Sequence, residues 1–95
     1  MELRQLRYFV CAVEAGSLGR AALELGVVTS ALSQQISRLE GELATRLLQR
    51  TSGGVIPTDA GLAFFRQAQL ALRHVEHASQ AAQQDIGKRL RRLRS

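Results

Sequence analysis

The stretch from Ser17 to Glu40, SLGRAALELGVVTSALSQQISRLE, leaves the chain little choice of fold. Ser17 is a good helix N-cap, and Leu18, Ala21, Ala22 and Leu25 recur behind it at helical spacing. Gly26 can take the left-handed conformation that ends a helix, and Val27 plugs the corner that follows. Thr29 or Ser30 can cap a second helix. At about 100° per residue, Leu32, Ile36, Leu39 and Leu43 of that helix fall within an arc of roughly 60°. Ser30, Ser33, Gln34, Ser37 and Arg38 fall on the opposite side. Solubility alone would favour Lys and Glu there; a short, mostly uncharged stripe suits hydrogen bonding to base edges in a major groove. The segment reads as a helix-turn-helix and points to DNA binding. Its rival is a corner in a helical bundle whose Ser/Gln face is merely solvated.

A chain of 95 residues makes one domain with a modest core, small for most enzymes. No run of 18 apolar residues is present, and MELRQLRYFV carries charges at residues 2, 4 and 7 in place of a signal-peptide apolar region. A cytoplasmic protein with no membrane association is expected. Cys11 is the single cysteine, which suits a reducing compartment, and its apolar neighbours make it a small buried hydrophobe rather than a reactive thiol.

The net charge of +5 suggests a nucleic-acid partner, but its distribution weakens the argument. Five of the 13 basic residues, Lys88, Arg89, Arg91, Arg92 and Arg94, crowd the C-terminal end. The other eight are matched by eight acids, so the body is formally neutral. Affinity for DNA there must come from setting Arg4, Arg38 and Arg50 on one side and the glutamates elsewhere.

Around the helical pair, Leu3 to Ala15 reads as a helix with Leu6, Phe9, Val10 and Val13 inward and Gly16 closing it. Leu47 to Thr51 reads as a strand, Ser52-Gly53-Gly54 as a turn, and Val55-Ile56 as a returning strand stopped by Pro57. The fold class is therefore mainly α: a winged helix-turn-helix over residues 1–58, with three helices and a small β-hairpin wing. The hairpin can equally be a plain closure of the core, since Arg50 is the one charge near it. Thr58 then caps a long dimerisation helix, with Asp59 favourably placed in its first turn. This helix is expected to end near Asp85 or Ile86, about 27 residues and roughly 40 Å long. Phe65, Ala68, Leu72, Val75, Ser79, Ala82 and Ile86 follow 3-4 spacing along it, as in a helix packed along another. The small domain cannot cover such a stripe, so a homodimer is expected, with a tetramer open for a full-length parent; the rival is a helix folded back on its own domain. Gly87 is expected to break the helix, leaving residues 87–95 as a tail, a hinge or the cut end of a longer chain.

These residues resemble a known family. RQLRYFVCAVEAGSLGRAA, VVTSALSQQISRLEGEL, LLQR and VIPTDAG are similar in order and spacing to the N-terminal part of LysR-type transcriptional regulators. The resemblance covers about residues 2–86 and implies a DNA-binding and dimerisation portion without the effector-binding domain that follows in the family. It further implies Thr29, Ser30, Ser33 and Gln34 in the major groove, and Arg4, Ser37, Arg38, Arg50 and the wing glycine Gly53 at phosphates. It also suggests antiparallel pairing of the long helices. Thr29 stands where the family often has Gln, which removes one bidentate adenine reader. Ser52 and Gly53 stand where the wing commonly carries Arg or Lys.

An enzyme is the main rival of another class. His74-Val75-Glu76-His77 is the nearest approach to a metal site, but it lacks a fourth ligand and is not an H-E-x-x-H pattern. No nucleophile–base pair or phosphate-binding glycine loop is evident, and no cofactor is expected. A pure interaction module, built around the long helix, is the second rival.

Overall fold

A computed structural model describes residues 1–94 and resolves four helices and one hairpin. The first helix, α1 (Leu3–Ala15), begins with the Glu2 amide donating to Gln5 Oε1 at 3.1 Å and ends at Gly16 in the left-handed region. Ser17 then caps α2 (Leu18–Leu25), its hydroxyl accepting from the Arg20 amide. Gly26, with φ of 69°, turns the chain, and the Val27 amide returns to the Ala22 carbonyl at 3.0 Å. The third helix, α3 (Thr29–Leu43), starts one residue earlier than its capping residues suggested. Its N-cap position is Val28, so neither Thr29 nor Ser30 caps it; both lie inside its first turn. A side-chain oxygen can cap only from the residue before the first helical one, and Val28 has none.

Helix α3 ends at Ala44, a non-glycine residue with φ of 51°. The hairpin β1 (Leu48–Thr51) and β2 (Gly54–Pro57) follows, antiparallel, with Arg50 opposite Val55 and Leu48 opposite Pro57. Leu47 lies outside the strand because its backbone is engaged elsewhere: its amide goes to Glu40 and its carbonyl to the Thr58 amide. Thr58 Oγ1 caps the last helix, α4 (Asp59–Arg94), by accepting from the Gly61 amide at 3.0 Å.

Gly87 does not break α4, which runs on through the basic segment for 36 residues in all. A glycine inside a helix costs only about 1 kcal/mol relative to alanine. Good helix formers surround it, and the Asp85–Arg89 ion pair (3.1 Å, four residues apart) spans it. Residues 87–94 therefore continue α4 rather than leaving it at Gly87.

One core joins all the elements. Phe9, Ala12, Ala21, Ala22, Leu32, Ile36, Leu39, Leu47, Leu48 and Val55 are buried together. Phe64 and Phe65 pack against them, and Phe64 meets Phe9 edge-on with ring centroids 5.5 Å apart. Two glycines fix the junctions. A Cβ at Gly61 would overlap the Leu47 carbonyl, and one at Gly54 would overlap the Gly16 carbonyl, to which the neighbouring Val55 amide bonds. The wing is thus pinned to the α1–α2 turn, and α4 to the base of the wing.

Candidate nucleic-acid interface

The buried stripe Leu32, Ile36 and Leu39 fixes the roll of α3 and so decides what its other face offers to solvent. Thr29, Ser30, Gln34, Ser37 and Arg38 are exposed there, while Ser33 is half-buried. Beside that face runs a shallow groove between the α2–α3 corner and the wing. Thr29, Ser30, Ser33, Arg50, Ser52 and Gly54 line it. A second depression on the same side brings Ser33 and Ser37 together with Arg46 and Arg50. Arg46 was not singled out from sequence, although R-L-L-Q-R already set two arginines around an apolar pair.

Other expected contacts are placed differently. Arg4 lines neither depression and lies 3.6 Å from the Glu2 carboxylate. Gly53 is exposed at the tip of the wing, but Gly54 holds the positive φ there. Among the described residues Arg38, Arg46 and Arg50 form no ion pair. Two acids are engaged by other cations: Glu42 takes the N-terminal amine at 3.0 Å, and Asp85 takes Arg89. One carboxylate, Glu40, borders the depression with Arg46 and Arg50, and its Oε2 is bonded to the Leu47 and Leu48 amides. The uncapped first turn of α3 adds its free amides and the positive end of the helix dipole.

Three polar side chains inside the domain hold this face in place, and none was marked by sequence pattern. Buried Gln5 donates to Gln35 on the flank of α3 at 3.4 Å. Glu40, near the end of α3, accepts from the amides of Leu47 and Leu48. Cys11 is half-buried rather than buried, and its thiol donates to Glu24 Oε2 at 3.3 Å, tying α1 to α2. Burial first, then the bond to Glu24 and its charge, push that thiol up to about 11.

Along α4 the apolar stripe divides. Phe65 and Ala68 pack within the protomer. Leu72, Val75 and Ser79 border an open groove whose other wall is Arg7, Val10 and Glu14 of α1. Ala82 and Ile86 stand exposed, Ile86 at 58%. His74 and His77 are exposed with ring centroids 6.4 Å apart. Among the described residues no group of three His, Cys, Asp or Glu side chains is placed to hold a metal ion. No described helix is long and apolar enough to cross a membrane.

Residues 3–62 match the sequence model of the bacterial regulatory helix-turn-helix proteins of the lysR family. The chain belongs to that family. The nitrogen assimilation regulatory protein nac of Klebsiella aerogenes is 47% identical over 91 residues, which is 96% of this chain and 30% of that protein. Its Escherichia coli counterpart is 48% identical over 90 residues, 95% of this chain and 29% of that protein. The chain thus spans under a third of the length of these lysR-family relatives. Among solved structures, the DNA-binding domain of BenM in complex with catB site 1 DNA is 40% identical and superposes with a TM-score of 0.86. That likeness covers 88% of this chain and 93% of the other. CbnR, a LysR family transcriptional regulator, gives 0.84 at 35% identity, over 87% of this chain and 29% of CbnR. The fold is that of a LysR-type winged helix-turn-helix DNA-binding domain.

Proposed function

We propose that this chain is the DNA-binding and dimerisation part of a cytoplasmic LysR-type regulator, acting by binding rather than catalysis. In this reading α3 enters the major groove of an inverted-repeat operator. One observation carries it: the exposed polar face of α3 lies beside a wing-side groove whose arginine side chains form no ion pair among the described residues. Gln34 is exposed and offers both a donor and an acceptor, so it can bond an adenine edge bidentately. Ser33, half-buried, reads a base only if the helix sits deep, which the small neighbours Ser30 and Ala31 permit. Thr29 and Ser30 set the first turn of α3 against a phosphate. Ser37, Arg38, Arg46 and Arg50 flank the reading face as backbone contacts, with Gly53 at the wing tip close to the duplex. Arg4 serves there only by leaving Glu2.

Pairing completes the reader. The stripe Leu72, Val75, Ser79, Ala82 and Ile86 runs from the α1 groove out to exposed positions, and it fits a second α4. A two-fold pair presents two equivalent α3 helices, hence an operator with two related half-sites. Selection of binding sites from random duplexes should return an interrupted inverted repeat. Recovery of single, asymmetric half-sites would contradict the dimeric reading, and absence of any retarded complex at low salt would contradict DNA binding.

A further inference from the structure

Glu40 is a carboxylate on the helix that, in the reading above, faces a polyanion, and its placement explains why it is there. It lies one turn before the end of α3, where the chain reverses through left-handed Ala44 and the Thr45 amide returns to the Glu40 carbonyl. That reversal carries Leu47 and Leu48 back past the Glu40 side chain. Oε2 accepts from the Leu47 amide at 2.7 Å and from the Leu48 amide at 3.2 Å. Neither amide is left to the hairpin ladder by its other neighbours: Leu47 precedes β1, and Leu48 lies opposite Pro57 at the open end of the strands. A single oxygen therefore ties the recognition helix to the first residues of the wing. Glu40 also borders the depression that contains Ser33, Ser37, Arg46 and Arg50.

We infer that Glu40 is a positioning residue, which sets the wing, and Arg50 on β1, at a fixed distance from the base-reading face of α3. This rests on the DNA-binding reading proposed above. Bonds to an ionised acceptor are the strong kind, and a buried amide that loses its partner is costly, so the tether resists displacement. The Oε2 oxygen spent on two amides directs its lone pairs at the protein rather than at phosphate.

The test is a double-mutant cycle in the 95-residue chain, read by titration on a selected operator at a temperature where every variant is folded. Glu40→Ala should weaken binding by on the order of tenfold when Arg50 is present, and by little in an Arg50→Ala background. Glu40→Gln keeps a weaker, neutral acceptor oxygen, so it should lose clearly less affinity than Glu40→Ala. Backbone amide shifts of Leu47 and Leu48 should move upfield in Glu40→Ala and by a smaller amount in Glu40→Gln. Should Glu40→Ala fail to fold, Glu40→Asp, one methylene too short to reach both amides, takes its place in the cycle. Equal losses with and without Arg50 would overturn the inference, as would tighter binding by both Glu40→Ala and Glu40→Gln, the mark of simple charge repulsion. A parent chain that binds no duplex would instead overturn the DNA-binding reading itself.

Discussion

At the scale of single residues, the exposed face of α3 separates base readers from backbone holders by their chemistry. Gln34 offers a donor–acceptor pair, while Arg38, a turn further on, offers charge and donors but no acceptor. Replacing Gln34 by Ala should cost about 1–3 kcal/mol on the selected operator and almost nothing on scrambled DNA. Arg38→Ala should weaken both to a similar degree. Paired titrations of each variant on the two duplexes decide the matter; equal losses for Gln34→Ala would strike it from the base readers. Cys11 gives a prediction independent of DNA. Its thiol is raised in the folded state from 9.0 to about 11, so the fold holds that proton more tightly than the unfolded chain does. The stability this confers is complete below about pH 9 and is lost as pH rises through about 11. Denaturant titrations should therefore show the parent chain losing stability across that window relative to Cys11→Ala. Parallel pH profiles for the two would refute the assignment.

At the scale of elements, the sequence was legible wherever a local rule and the tertiary fold agree. Ser17, Gly16 and Gly26 mark ends that the structure keeps, and the period of Leu32, Ile36 and Leu39 orients α3 correctly. What stayed hidden was set by contacts across the fold. Glu40, Gln5 and Arg46 owe their places to neighbours that no local pattern reveals. The expected break at Gly87 failed for the opposite reason, because a local preference of about 1 kcal/mol was outweighed by the helix on either side. Two glycines test the same logic. Gly61→Ala forces a methyl into the Leu47 carbonyl, with no flexible side chain to give way, and should lower the melting temperature by several degrees. Gly87→Ala meets nothing within 4 Å and should add helix stability by about 1 kcal/mol at most. Thermal melts of the two variants should move in opposite directions.

At the scale of the whole molecule, the length of α4 is the fact that demands a partner. Thirty-six residues make a rod of roughly 54 Å, and the core reaches only its first turns through Phe64, Phe65 and Ala68. The stripe beyond continues through Leu72, Val75, Ser79, Ala82 and Ile86, and because Gly87 does not interrupt it, Leu90 and Leu93 extend the apolar run. Leu72 and Val75 also border α1, so charges placed there would disturb the protomer as well as a dimer. Ile86 is the cleaner probe, since at 58% exposure it supports nothing within one chain. Ala82→Asp combined with Ile86→Asp should leave the melting profile of the core intact and, by setting charges in a seam, cost several kcal/mol of association. Sedimentation should then show a dimer for the parent chain and a monomer for the variant at the same micromolar concentration. Operator affinity should fall with it, because two half-sites would no longer be bound as one unit. A parent chain that sediments as a monomer at high micromolar concentration would leave the stripe without the partner argued for it.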